Sequence, residues 1–140
     1  MEIKYKKLDP QAITPNYAMP GDAGMDLFSI EEYEIKPNER YAYKTGITLE
    51  IPKGYAGIVK DKSGLAKKHG LHVLGGVFDS GYRGEYRITL VNLNDEPYKI
   101  EEGQKVAQVL IYPVITAKLE EVQEVSESKR GEGKWGSTGK

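Results

Sequence analysis

The sequence predicts an all-β fold, a sandwich or barrel of short strands. Three observations carry this. Sixteen Gly and seven Pro recur at turn-like spacings along 140 residues, which punctuates the chain into many short strands. Tyr86-Arg87-Ile88-Thr89-Leu90-Val91 alternates with period 2 and puts Tyr86, Ile88 and Leu90 on one face. Lys105 to Val114 is apolar on both faces apart from Gln108, the pattern of a strand covered on both sides.

The elements follow in chain order. Ile3 to Leu8 can open a sheet. Arg40 to Ile51 reads as one alternating stretch rich in Tyr and Thr. Pro52-Lys53-Gly54 turns the chain into a short strand from Tyr55 to Lys60. One helical turn fits Ser63 to His69, with Ser63 as its cap and Gly70 as its stop. Glu101-Glu102-Gly103 turns into the Lys105 strand. Glu120 to Lys129 is polar and charged, a tether between body and tail, so the chain divides into a body of residues 1–124 and a C-terminal arm of residues 125–140 that includes the end of the tether.

A chain of this length is expected to form one domain and to bury roughly two-thirds of its unfolded surface. Hydrophobic residues make up 39% and mean hydropathy is −0.56, so a thin core would gain from burial between subunits. A net charge of −1 offers no footprint for nucleic acid. Without Cys, disulfides and Cys-ligated zinc are excluded. Met1 to Lys7 lacks the apolar run of a signal peptide, and no stretch approaches transmembrane length. The expectation is a cytoplasmic protein with no membrane or nucleic-acid partner.

Five segments hold polar residues that turns and core patterning do not require. In Pro20 to Leu27, Asp26 sits between apolar neighbours after a Gly-rich turn, either as a capping Asp or as a functional carboxylate. In Lys60 to Ala66, a strand end meets a helix start with Lys62 and Ser63 beside it; this suits an anion, or a plain cap. Gly75 to Glu85 contains Asp79-Ser80-Gly81, a hairpin signal. A hairpin does not explain Tyr82, nor the paired Gly75 and Gly76, which permit close backbone approach to a ligand. Gln108 is an amide in an apolar strand and needs a partner, in the structure or in a bound water or phosphate. His69 and His72, with Gly70 between them, read as surface or structural residues.

The fifth segment is the tail, Arg130-Gly131-Glu132-Gly133-Lys134-Trp135-Gly136-Ser137-Thr138-Gly139-Lys140. Its G-x-G-x-x-G lacks the following helix of a dinucleotide site, and Gly136 is not followed by the Lys-Ser/Thr of a P-loop. A guanidinium, two hydroxyls and the one tryptophan on a Gly-rich segment suit a lid over a nucleotide. A disordered terminus is the alternative.

In this order the five segments resemble the motifs of the trimeric dUTPases (dUTP diphosphatases), from about Thr14 to the end of the chain. Ser-Gly-Leu-Ala at Ser63, Asp-x-x-Tyr-Arg-Gly at Asp79 and Gly-Ser-Thr-Gly at Gly136 are the most specific pieces. The resemblance implies a jelly-roll-like β-barrel forming a homotrimer, with active sites between subunits and a flexible C-terminal arm that closes them. It implies hydrolysis of dUTP to dUMP and diphosphate with Mg²⁺ on the triphosphate, which keeps uracil out of DNA and supplies dUMP for thymidylate synthesis. Asp79 matches the residue that activates water and meets the 3′-OH. Gln108 matches an amide on phosphate or water, and Asp26 a carboxylate that meets the metal through water. Tyr82 matches the ring that excludes ribonucleotides. Val73, Gly76, Val77 and Phe78 fall in the segment that reads uracil through its backbone. Lys62, Ser63 and Gly64 match phosphate-binding residues, as do Arg130, Gly136, Ser137 and Thr138 in the tail, and Trp135 matches the ring stacking on uracil.

Lys62 departs from the usual Arg and loses the bidentate fork. Trp135 stands for the usual Phe, and an Asn often found before the hairpin turn is missing. Two other functions are set against this one: a dCTP deaminase, alone or bifunctional, and a non-enzymatic nucleotide-binding β-barrel. Lys62-Ser63-Gly64-Leu65-Ala66 fits the hydrolase better than the deaminase's Arg-Ser-Ser-type motif. A positioned base at Asp79 is more than a binding module requires.

Overall fold

The computed structural model describes residues 1–133. The expectations for Trp135, Gly136, Ser137 and Thr138 lie outside the described residues. Eleven strands and one helix are described: β1 (Lys4–Lys7), β2 (Met25–Phe28), β3 (Tyr33–Ile35), β4 (Arg40–Tyr43), β5 (Ile47–Glu50), β6 (Tyr55–Asp61), α1 (Ser63–His69), β7 (Leu71–Val73), β8 (Val77–Asp79), β9 (Ile88–Asn92), β10 (Tyr98–Ile100) and β11 (Lys105–Pro113). The fold is all-β, as predicted. Its main sheets run β2-β11-β6-β8 and β4-β9-β7, with two-stranded ribbons β1-β5 and β3-β10. Every pairing is antiparallel, and most join strands far apart in sequence. The result is jelly-roll-like, with the sheets not closed into a continuous barrel.

The core fills the space between the sheets. Tyr86, Ile88 and Leu90 are all buried, as their alternation predicts, together with Leu27, Ile35, Tyr43, Ile47, Leu71, Ile100 and Val109. Arg40 to Ile51 is not one strand. It breaks at Gly46, where φ is +64°, and switches from the β4-β9 pairing to the β1-β5 ribbon. Glu85 fixes this break, its Oε1 accepting the Thr45 and Gly46 N–H groups at 3.1 and 2.9 Å. β11 is buried on both faces only around Val106 and Ala107. Toward its end Leu110 and Ile111 are half-buried and Tyr112 is exposed.

The Asp79 turn is real but does not form a hairpin. Tyr82 N–H donates to the Asp79 carbonyl at 3.0 Å, yet β8 pairs with β6 while the chain continues to β9 in the other sheet. Val73 to Phe78 forms no hairpin either, because β7 pairs with β9 and β8 with β6. Ser63 does not cap α1: Lys62 occupies the cap position in extended conformation with no side-chain capping bond. Gly70 does stop the helix, in the left-handed region that favours glycine. Beyond Pro113, residues 114–133 carry no strand or helix and leave Ile115, Leu119 and Val125 exposed.

Candidate active site

The four-stranded sheet separates packing from chemistry by alternation. Residues opposite one another in an antiparallel sheet share a face. On one face lie Leu27, Val59, Ala107 and Val109, all buried in the core. The register puts Asp26, Gln108 and Lys60 on a single rung of the other face. Val77 and Asp79 share that face on β8, aligned with Ile58 and Ala56.

At the first end of this face sits a cation cluster. Asp26 is 1% exposed. Lys62 Nζ lies 2.6 Å from its Oδ1 and Lys105 Nζ 2.7 Å from its Oδ2. Burial pushes the Asp26 carboxyl up, but hydrogen bonds and charge from Lys105 and Lys62 outweigh it and hold the group below its ordinary range. Lys105 gets there through a bulge: between Lys105 and Ala107, β11 advances two residues while β2 advances one. Gln108 donates its amide to the Asp61 carbonyl at 2.9 Å. A Cβ on Gly24 would stand 2.8 Å from Gln108 Oε1, so glycine there lets the amide lie flat on the backbone. An open hollow of about 400 Å³, lined by Lys62, Gly64, Lys68, His69 and Lys105, adjoins the cluster. Ser63 and Gly64 are both exposed.

At the other end is the turn from Val73 to Tyr82. Gly75 and Gly76 both have positive φ, +73° and +87°, so the pair is required by backbone conformation. The Gly76 carbonyl accepts Val59 N–H at 2.7 Å. Val73 N–H is bound to Asp61 Oδ1 at 2.6 Å. Val77 and Asp79 are exposed, while Phe78 turns inward and stacks on Tyr86 with centroids 3.9 Å apart. Tyr82, 40% exposed, tilts against Phe78 at 5.5 Å, and its hydroxyl donates to the Glu85 carbonyl at 2.9 Å. Gly84 makes this possible, since any Cβ there would overlap the Tyr82 hydroxyl. Arg130 lies on an exposed turn, closed by Gly133 N–H on its carbonyl.

Within this chain Asp79 and Gln108 stand apart. Asp79 aligns with Ala56 and Gln108 with Lys60, four residues along β6 and two strand steps across. At about 3.4 Å per residue and 4.8 Å per strand, the separation is about 17 Å. Asp26, Lys62 and Gln108 form one group and Val77 to Tyr82 another, with Val73 tied to the first through Asp61. Lys105 and Asp61 belong to this site by position, but sequence reasoning assigned them no role. A lysine opening the strand of Gln108 was the available signal for the first. His72 Nδ1 lies 2.8 Å from Asp61 Oδ2, and His69 packs on Tyr98.

The family model described as dUTPase matches residues 10–139. This chain belongs to the dUTPase family. A relative named deoxyuridine 5′-triphosphate nucleotidohydrolase, from Clostridium novyi (strain NT), is 50% identical over 99% of both chains. Among solved structures, a mutant dUTPase of Staphylococcus bacteriophage 80alpha, solved with dUpNHpp, is 31% identical with a TM-score of 0.93. It covers 99% of this chain, which covers 98% of it in turn. A mutant dUTPase from phage phi11 of S. aureus, in which coordination of a structural Mg(II) ion is described, is 28% identical with a TM-score of 0.85, over 91% of this chain and 100% of that one.

The dUTPase family generally uses Mg²⁺. Among the described residues, no group of three or more His, Cys, Asp or Glu could hold a metal. Asp26 fits a looser role. Its carboxylate is buried with Lys62 on Oδ1 and Lys105 on Oδ2, so a metal-bound water there would share an oxygen with an ammonium. Mg²⁺ characteristically keeps its waters and binds through few carboxylates and substrate phosphates. No described helix is long and apolar enough to cross a membrane.

Proposed function

We propose that this protein hydrolyses dUTP to dUMP and diphosphate. The observation that carries the reading is the exposed Asp79 carboxylate, joined by one turn to a propped aromatic ring at Tyr82. Neither deamination nor simple binding needs that pair, and the deaminase alternative is not favoured. Asp79 takes a proton from water as the water oxygen attacks the α-phosphorus; the bond to the bridging oxygen breaks and diphosphate leaves. Tyr82 packs under C2′ and leaves no room for a hydroxyl. The Val73 to Phe78 backbone reads the imide edge of uracil and leaves no space for the thymine methyl. Lys62, Ser63, Gly64 and Gln108 hold phosphates. Mg²⁺, when bound, neutralises triphosphate charge, and Asp26 meets it through water.

The separation of about 17 Å supports composite sites in a homotrimer: Asp79 and Tyr82 of one subunit face Asp26, Lys62 and Gln108 of another. The arm from residue 125, with Arg130, Trp135, Gly136, Ser137 and Thr138, closes over base and γ-phosphate. Exposed Ile115, Leu119 and Val125 are expected to be covered in the assembly. A cytoplasmic location suits this role. The test is diphosphate release from dUTP by wild type and Asp79→Asn, with size measured by light scattering. Turnover should fall roughly 10²–10⁴-fold in the variant while the trimer persists. Deamination of dCTP by the wild type, or full activity in the variant, would discard the reading.

A further inference from the structure

Asp61 has no role in the scheme above, yet three of its atoms are engaged. Oδ1 accepts Val73 N–H at 2.6 Å, Oδ2 lies 2.8 Å from His72 Nδ1, and the carbonyl accepts the Gln108 amide at 2.9 Å. Asp61 ends β6 in the four-stranded sheet, whereas His72 and Val73 belong to β7 in the three-stranded sheet. Its carboxylate therefore bridges two sheets that share no strand, at the point where the chain leaves β7 for the glycine pair.

That glycine pair makes the bridge matter. Gly75 and Gly76 give the segment its positive-φ path and also its softness. The segment is pinned at three places: Val73 by the Asp61 carboxylate, Leu74 by the Thr89 carbonyl, and Gly76 by Val59 N–H, and of these the Asp61 bond is the one a side chain supplies. A hollow of about 390 Å³, lined by Lys60, Asp61, His72, Val73 and Gly75, lies against it. Main-chain groups discriminate between bases only when their positions are fixed before the ligand arrives.

We infer that Asp61 is a positioning residue for base selection, its carboxylate bracing the backbone segment that reads the pyrimidine. This rests on the proposed dUTP reaction. Asp61→Ala removes the carboxylate but keeps the carbonyl that holds Gln108. Asp61→Asn keeps an acceptor for Val73 N–H. Steady-state kinetics with dUTP, dTTP and dCTP are compared across wild type and both variants. In Asp61→Ala, KM for dUTP should rise roughly 10-fold and the preference for dUTP over dTTP should fall by a similar factor, the scale of one charge-assisted hydrogen bond. Its kcat should stay within about 3-fold, because Gln108 is still held. Asp61→Asn should restore most of the loss. Amide exchange at Val73, read without turnover, should be about 10-fold faster in Asp61→Ala and near wild type in Asp61→Asn. If Asp61→Ala does not fold, Asp61→Glu, which keeps the charge but displaces the acceptor, should show the same loss of preference. Unchanged KM, preference and exchange in an otherwise active enzyme would overturn the inference alone. A fall in kcat at constant KM would overturn it too, by moving Asp61 into the chemical step. A wild type that leaves dUTP intact would overturn the proposed function itself.

Discussion

Removing Lys62 and Lys105 together tests how the Asp26 end of the site is held. The two ammoniums share one carboxylate, at 2.6 and 2.7 Å. The lysine side chains are 28% and 44% exposed, so each can rehydrate when its partner is lost. Asp26 cannot. Each single Ala replacement leaves the carboxylate one partner and should cost about 1 kcal/mol, since solvent screens exposed cations. The double replacement leaves a buried carboxylate unpaired, at about 3–5 kcal/mol. The excess over the sum of the singles, about 1–3 kcal/mol, is the signature of sharing. Urea unfolding at pH 7 and one fixed protein concentration measures it. The pH dependence gives an independent sign. In the wild type the Asp26 carboxyl is held low, so its contribution is present above the unfolded value of about 3.9 and is lost as pH falls through the folded one. In the double variant, burial without cations raises the carboxyl, so its deficit should shrink in acid. A double variant whose loss merely equals the sum of the singles, at every pH, would refute the shared cluster.

Three further outcomes are expected. Wild type should hydrolyse dUTP far better than UTP, and Tyr82→Ala should narrow that gap; equal use of UTP by wild type would show the ring lies elsewhere. Among the described residues the buried Tyr86 hydroxyl has no hydrogen-bond partner, so Tyr86→Phe should leave stability within about 1 kcal/mol of wild type or raise it, and a larger loss would reveal a partner. Burial and the nearby Tyr82 push the Tyr86 phenol up to about 12; the neutral ring's contribution is intact below about pH 10 and falls as pH rises toward the folded value, a loss that Tyr86→Phe should lessen. Trp135 is the one tryptophan, so a non-hydrolysable dUTP analogue with Mg²⁺ should change emission strongly and saturably while dUMP changes it little. Identical responses would refute closure by the arm.

Much of this was readable beforehand because some signals are local. Gly70 ends a helix by its own conformation, and the alternation at Tyr86, Ile88 and Leu90 needs no partner to be recognised. β2, β3 and β10 were not read as strands. Met-Asp-Leu-Phe, Tyr-Glu-Ile and Tyr-Lys-Ile are too short and too charged to declare themselves; they become strands because β11, β10 and β3 lie beside them. Arg40 to Ile51 failed for the same reason, since the break at Gly46 is held by Glu85, 39 residues away. In the site, Asp79, Tyr82 and Gln108 stood out by residue type against their surroundings. Lys105 and Asp61 did not, because their importance comes from register: a bulge aims one at Asp26, and a strand end carries the other across to Val73.

β6 and β11 interleave two independent messages at every second residue. Val59, Ala107 and Val109 answer to the hydrophobic interior, and Lys60 and Gln108 answer to whatever approaches from outside. Substitutions can therefore rewrite one message while the other stands, so a lineage is free to alter the polar groups of this face without rebuilding its interior. Insertions enjoy no such freedom. One extra residue in β6 would swap the parity of all that follows, sending a lysine inward and a valine out, and would erase both messages together.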